Sequence, residues 1–249
     1  MLLNSTIENL ETTKHTTGTS QRTAALVTGI SLMLMMVLAM FATFFVLDGL
    51  IEPGNAAVTA ENLVNNEVLV RLGIFSLVIV IILDIIVAWS LTIFLQPINW
   101  SLSLLGGWLR LAYASIFFVA LISLVNAFNL LADGAGARLF EADQVPSQMM
   151  LSINSFYAGW DAGLLIFGLH LIVVGYLVFK SGNMPRLLGV LVMICGAGYM
   201  IDTAILVLIP NLGVSLSVVT FIGEILLGIW LLVKGLQAKA WEDGMLKFD

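Results

Sequence analysis

The 249-residue chain is 60% hydrophobic and only 10% charged, with a formal net charge of −6. Its mean hydropathy is +1.05. A soluble domain carries about 25% charged residues, so this chain has too few polar side chains to cover a water-facing surface. The composition predicts an integral membrane protein whose partner is the lipid bilayer. It contains no basic run that would indicate binding to nucleic acid, and we expect no such partner.

Long, mainly apolar runs predict helices rather than barrel strands. Barrel strands alternate in polarity over about 10 residues, whereas this chain has runs of about 20 or more, such as Leu187–Ile209. In lipid the backbone must satisfy its own hydrogen bonds, and a helix does so within one segment. We therefore predict an all-α, polytopic membrane helical bundle of about six transmembrane helices, folded as one domain.

The chain begins with a polar segment, Met1–Arg22, which we interpret as a cytoplasmic tail. The apolar run Thr23–Leu47 is too long for a secretory signal and is predicted to be the first span. After a turn-rich exit, Asn55–Glu67 is predicted to form a short helix on the membrane surface. Its expected apolar side consists of Val58, Leu63 and Val64.

Spans two and three are predicted as a hairpin, Val68–Leu95 followed by Ser101–Leu131. The turn Gln96–Asn99 contains Pro97, which cannot continue the helical hydrogen-bond ladder. The predicted transmembrane domain covers residues 23–234 and the C-terminal tail covers residues 235–249.

The second half of the chain is predicted to contain three more spans. An acidic loop, Ala132–Gln148, precedes span four, which Pro146 starts and which ends near Phe179. Span five ends at Pro210, and span six covers Gly213–Val233. Short amphipathic helices are expected in the extracytoplasmic loops.

The basic residues predict the orientation, since lysine and arginine favour the cytoplasmic side. One side of the six-span arrangement holds most of them and the other holds Arg71 and Arg138. We therefore expect both termini in the cytoplasm (N-in/C-in). The residues on the predicted cytoplasmic side are Lys14, Arg22, Lys180, Arg186, Lys234, Lys239 and Lys247.

Several segments resemble an uncharacterised family of bacterial integral membrane proteins, catalogued as domain of unknown function 4386. The resemblance covers roughly Asp48 to Gly235, with the matching pieces in family order. It implies a multi-pass protein of the bacterial cytoplasmic (inner) membrane and brings no activity, ligand or catalytic residue. The matching pieces are Glu52–Leu63 (EPGNAAVTAENL), Gly168–Gly182, Met184–Leu191, Gly198–Asp202 and Gly223–Gly235.

A few ionisable residues fall inside the predicted spans, where each costs about 2.5–3.5 kcal/mol on insertion scales and needs a partner, water or a function. The candidates for a ligand or ion pathway are Asp84, Arg110, His170, Asp202 and Glu224. Asp161 is expected to be interfacial. Asp202 and Asp161 fall nearer the outer third of their spans.

Asp84 and Arg110 are the strongest candidates for an ion pair. Asp84 lies thirteen residues before Pro97 and Arg110 thirteen after it, so a hairpin places them at similar depth. Small residues on their helix faces, such as Gly106 and Ala88, favour close helix packing and an inward orientation. The 1.5 Å rise per residue places His170 and Glu224 roughly 16–18 Å from the outer ends of their spans, near the midplane.

Several specific chemistries are disfavoured. Every lysine lies in a tail or at a helix end, which excludes a retinal Schiff base. The two histidines, His15 and His170, are too few for an intramembrane metal site or a bis-histidine haem, and no cofactor or metal is expected. No G-x-S-x-G motif is present, so an enzyme is not the favoured interpretation. Cys195, the single cysteine, is interpreted as a packing residue.

Two functions stay open from the sequence. One is a small transporter-like or channel-like bundle, whose polar centre serves a proton, an ion or a small ligand. The alternative is a membrane-embedded interaction or assembly protein, whose buried polar residues fix helix register. The sequence identifies neither the ligand nor the oligomeric state.

Overall fold

The computed structural model describes residues 18–132, 138, 140–209 and 222–237. This part of the chain contains α-helices and no β-strand. The helices in chain order are α1 (Gln21–Phe41), α2 (Asp48–Leu50), α3 (Ala56–Asn65), α4 (Glu67–Leu95), α5 (Trp100–Leu131), α6 (Val145–Lys180), α7 (Arg186–Leu208) and α8 (Ile222–Leu236).

Five helical segments are long and apolar enough to cross a membrane: Gln21–Leu50, α4, α5, α6 and α7, with lengths of 23 to 36 residues. A span needs about 20 residues. These segments confirm the predicted all-α polytopic membrane bundle. The described part of the sixth predicted span is α8, of 15 residues. Residues 213–221 of that span, and most of both predicted tails, lie outside the described residues.

Local sequence signals explain where the helices begin. Ser20 caps α1 by accepting a hydrogen bond from the backbone N–H of Thr23 at 3.1 Å. Asn99 caps α5 in the same way, accepting from Leu102 N–H at 2.9 Å, directly after the proline turn predicted between spans two and three. Pro146 lies in the first turn of α6, as predicted, where its missing N–H has no intrahelical partner to lose.

The first span is longer than predicted. A π-helical stretch, Ala42–Leu47, follows α1 without a break, and α2 carries the helix on to Leu50. Because a π turn differs from an α turn only in hydrogen-bond register, the apolar pattern of the sequence does not reveal it.

The residues predicted for the apolar side of the surface helix divide between the bundle and the outer surface of α3. Leu63 is buried, but Val58 and Val64 are 39% and 56% exposed. Thr59, one turn before Leu63, takes the buried position because its Oγ1 accepts from the Glu52 N–H at 2.9 Å. The Thr59–Leu63 side of α3 therefore faces the bundle.

The six long helices form a closed ring. The order around the ring is α1, α4, α5, α6, α7 and α8, and each helix packs against the next one. The ring closes because α8 packs against α1. Going around the ring, α1 faces α6, α4 faces α7 and α5 faces α8. This closure leaves a central space that all six helices border.

Glycine allows a close crossing of α6 and α7. A Cβ added at Gly168 would lie 2.5 Å from the carbonyl oxygen of Gly196. Real Cβ atoms do not approach a carbonyl oxygen so closely, so this crossing requires a residue without a side chain. The tight packing of α6 on α7 fixes the face that each presents to the centre.

Candidate functional site

A cavity of about 390 Å³ lies at the centre of the helix ring. All six long helices contribute to its wall, and its volume falls in the range typical of small-molecule sites. Three ionisable residues line it: Asp84 from α4, Arg110 from α5 and Glu224 from α8. The centre of the bundle is therefore a cavity with a mainly apolar wall and three ionisable side chains.

The predicted ion pair between Asp84 and Arg110 is present. Arg110 Nη2 lies 2.7 Å from Asp84 Oδ1, and the two side chains are 3% and 1% exposed. Asp84 lies 11 residues before the end of α4, and Arg110 lies 10 residues after the start of α5. At 1.5 Å per residue both are roughly 15–17 Å from the connected helix ends, in the middle of a bilayer core about 30 Å thick.

His170 extends this pair to a third helix. Its Nδ1 lies 2.8 Å from the carbonyl oxygen of Gly106, and its Nε2 lies 3.3 Å from Arg110 Nη1. A carbonyl oxygen only accepts, so Nδ1 carries a proton; a guanidinium only donates, so Nε2 is an unprotonated acceptor. The hydrogen bonds therefore specify a neutral imidazole. Asp84, Arg110 and His170 form a continuous polar chain from α4 through α5 to α6.

The polar chain is not fully hydrogen-bonded by the protein. Among the described residues, Asp84 Oδ2 and Arg110 Nε are buried and have no hydrogen-bond partner. Both residues border the cavity. Buried polar atoms in native proteins nearly always have partners, and an unpaired one costs free energy. A buried acceptor and a buried donor thus remain available at this edge of the cavity.

Glu224 forms a second polar group on the other side of the ring. Its Oε1 accepts a hydrogen bond from the Tyr199 hydroxyl at 3.0 Å and from the Cys195 thiol at 3.6 Å. The predicted packing role of Cys195 is therefore incomplete, since the buried thiol also contacts a carboxyl group. Glu224 is partly exposed to the cavity and close enough to Arg110 and Asp84 for their charges to interact.

Aromatic rings and methionines make up much of the remaining wall. Phe167 lies under the Arg110 guanidinium, 5.3 Å from it, and stacks on His170 at 5.7 Å between ring centroids. On the facing side, Met35 Sδ lies 4.0 Å from Arg110 Nη2. The aromatic residues that border the cavity are Tyr113, Phe117, Trp160, Phe167 and Tyr199, and the methionines are Met33, Met35, Met36 and Met40.

The sequence-predicted site residues fall into two groups. Asp84, Arg110 and Glu224 border the cavity and His170 lies directly behind Arg110. Asp202 is not among the lining residues. It is partly buried on α7, close enough to Asp161 for the two carboxyl groups to interact. The neighbouring Thr203 hydroxyl donates to the Asp161 carbonyl oxygen at 2.9 Å, joining α7 to α6 away from the cavity.

The aromatic wall was missed from the sequence, although a signal for it is present. Phe156, Trp160, Phe167 and His170 recur at intervals of four, seven and three residues on α6, which places them on one helix face. Tyr113 follows Arg110 by three residues on α5. An aromatic stripe that includes an ionisable residue therefore marks the face toward the cavity.

Within the described part of the chain, no three histidine, cysteine, aspartate or glutamate side chains are grouped as a metal site requires. The polar groups around the cavity are instead suited to hydrogen bonding and to charge compensation of a ligand.

Comparison with known proteins identifies a family and a relative of the chain. The family model described as "Domain of unknown function (DUF4386)" matches residues 27–235. An "Uncharacterized protein" of Archaeoglobus fulgidus is 34% identical over 163 residues, which is 66% of this chain and 82% of the relative. No solved structure matches the chain.

Proposed function

The chain belongs to the DUF4386 family, and we propose that it is a transporter-like membrane protein that binds a small ligand or ion in its central cavity. The observation that carries the proposal is the position of three ionisable side chains, Asp84, Arg110 and Glu224, around one cavity in mid-membrane. Ionisable residues at this depth are costly, and they commonly mark the pathways of transported ions and ligands.

The arrangement of the wall supports binding rather than packing alone. The cavity measures about 390 Å³, which is large enough for a small ligand. Asp84 Oδ2 and Arg110 Nε have no protein partner among the described residues and lie beside it. Water or a polar group that enters the cavity would satisfy both atoms.

The closed ring supports a role in transport. Because the cavity is bordered by α1 and α4–α8, a relative tilt of these helices would open it toward one membrane surface. The chain Asp84–Arg110–His170 holds α4, α5 and α6 together. We therefore assign the moving boundary to the opposite half of the ring, where α7, α8 and α1 meet.

A structural role is the second candidate, and a specific observation favours it. Asp84, Arg110, His170 and the Gly106 carbonyl connect three helices in one chain of contacts. Such a chain fixes helix register and orientation, as a membrane-embedded assembly protein would need. In this interpretation Glu224 is a packing residue, held by Tyr199 and Cys195.

Proton and ion flux in proteoliposomes tests the two candidates. The natural protein is compared with Glu224→Gln, Asp84→Asn and His170→Ala under an imposed pH gradient, with an internal pH dye as readout. Asp161→Asn is the matched control, because this carboxyl group is also partly buried but lies outside the cavity. The proposal predicts proton or ion flux through the natural protein. Glu224→Gln should abolish this flux and Asp161→Asn should preserve it. Absence of flux in all samples, with substitutions that only lower the melting temperature, would establish the structural role.

A further inference from the structure

Building on the proposed function, we infer that the ligand of the central cavity is a lipophilic monovalent organic cation, such as a quaternary ammonium or a phosphonium ion with apolar substituents. The inference rests on three features of the wall taken together: an unbalanced carboxyl group, five aromatic side chains and four methionines.

The charge balance of the site favours a cation. Arg110 is already paired with Asp84 at 2.7 Å, and it also donates to His170, which its hydrogen bonds define as neutral. Among the described lining residues, Glu224 is then the remaining ionisable group of the wall. A buried carboxylate without a cationic partner is strongly destabilised, and a bound monovalent cation compensates it. An anion would meet a guanidinium whose charge Asp84 already balances.

The aromatic side chains supply a surface that recognises cations. The face of an aromatic ring attracts a cation within about 6 Å of its centroid, most strongly when water is excluded. Phe167 already does this for Arg110, whose guanidinium carbon lies 5.3 Å from the ring centroid. Trp160 and Tyr113 border the same cavity from neighbouring helices. The aromatic side chains of the wall therefore stabilise a positive charge without being ionised themselves.

An inorganic cation fits this wall poorly. Hard metal ions replace their hydration shell with six or more oxygen ligands. Here most of the lining residues present carbon or sulfur, and oxygen comes from few side chains, among them Asp84, Glu224 and Tyr199. An organic cation gives up little hydration and gains apolar contact. The flexible side chains of Met33, Met36 and Met40 adapt to apolar substituents of different shape.

Glu224 also provides a way to couple cation binding to a proton. Because a buried carboxylate without a cationic partner is costly, we assign a proton to this carboxyl group in the empty cavity; binding of one monovalent cation then releases that proton to water, so the charge of the site is conserved. The groups that face it are Tyr199 and Cys195 from α7, Arg110 from α5 and Asp84 from α4. The apolar run 23–47, which contains most of α1, has no ionisable residue.

Equilibrium dialysis of the full chain in detergent tests the inference with two probes of the same shape and opposite charge, tetraphenylphosphonium and tetraphenylborate. We expect saturable binding of the phosphonium, release of one proton per cation, and about tenfold weaker binding by Glu224→Gln. Asp161→Asn should bind like the natural protein. Trp160→Leu, which changes no charge, should also weaken phosphonium binding and provides a second variant if Glu224→Gln does not fold.

The outcomes separate the ligand class from the proposed function. Saturable binding of tetraphenylborate in place of the phosphonium would overturn the cation assignment and retain the cavity as a ligand site. Equal phosphonium binding by the natural protein, Glu224→Gln and Trp160→Leu would also overturn it. If neither probe binds while the proteoliposomes conduct protons, only the ligand class is wrong; if flux is absent as well, the transport function is wrong too.

Discussion

Arg110 donates to the imidazole of His170 at 3.3 Å while it holds the carboxylate of Asp84 at 2.7 Å. One guanidinium in mid-membrane thus connects α4, α5 and α6. This dual contact has measurable consequences for stability and for the protonation of the histidine.

Breaking the buried ion pair should destabilise the protein strongly. Asp84→Asn leaves the guanidinium uncompensated and Arg110→Gln leaves the carboxylate uncompensated, so each should lower the free energy of unfolding by about 3–5 kcal/mol. The double variant should lose less than the sum of the two, by about 1 kcal/mol or more, because neither charge then remains. Reversible unfolding in mixed micelles measures all three values.

The matched control for the ion pair is Glu67→Gln. Glu67 pairs with Arg71 at 2.6 Å, but these side chains are 54% and 58% exposed. Because exposed pairs contribute about 0–1 kcal/mol, this substitution should change stability little. Strict additivity of Asp84→Asn and Arg110→Gln would contradict the pairing.

The imidazole of His170 should exist as one tautomer. Nδ1 donates to the Gly106 carbonyl and Nε2 accepts from Arg110, so nitrogen NMR at neutral pH should show a protonated Nδ1 and an unprotonated Nε2. Labelling with ¹⁵N-histidine gives resonances from two imidazole rings, since the chain has two histidines. The substitution His15→Gln removes the resonances of His15 and leaves those of His170. In Arg110→Gln the Nε2 resonance should shift. A doubly protonated ring in the natural protein would contradict the assignment.

The crossing of α6 and α7 should be intolerant of a single methyl group at Gly168. Its added Cβ would lie 2.5 Å from a backbone oxygen, so Gly168→Ala should cost about 1–3 kcal/mol through displacement of the helices. Gly106→Ala is the control, because its Cβ would meet Val173 at 3.6 Å, an ordinary contact. Thermal unfolding of the two variants compares them directly; equal melting temperatures would contradict the close approach of α6 to α7.

The predicted orientation is tested by labelling of introduced cysteines in a Cys195→Ala background. Glu61 on α3 and Asn183 in the α6–α7 connection are both exposed and lie at opposite ends of the bundle. With both termini in the cytoplasm, a membrane-impermeant maleimide added to intact cells should label Glu61→Cys and spare Asn183→Cys until the cells are opened. The reverse pattern would invert the topology.

The sequence predicted the pair Asp84–Arg110 because local geometry determines it. The two residues flank one short turn at equal distances, so their depth and proximity follow from the helical rise alone. The contact between Glu224 and Tyr199 joins α8 to α7 across a connection that includes residues outside the described part. Its existence depends on how each helix is rotated about its axis, which tertiary packing decides.

The position of Asp202 also depends on the rotation of its helix about the helix axis. It lies only three residues after Tyr199, yet Tyr199 borders the cavity and Asp202 does not. Residues three apart on a helix point about 60° from each other, since each residue turns the chain by roughly 100°. A sequence pattern with small residues nearby does not resolve such an angle, so the location of Asp202 in a span was predictable and its place outside the cavity was not.

Closure of the ring by α8 implies an order of assembly during synthesis. Asp84 and Arg110 emerge within one hairpin, so they enter the membrane as a neutralised pair before the later helices exist. Glu224 enters last, when Tyr199 and Cys195 are already in place to receive it. Without α8, the cavity would lack the wall between α7 and α1, and Arg110 would border an open groove.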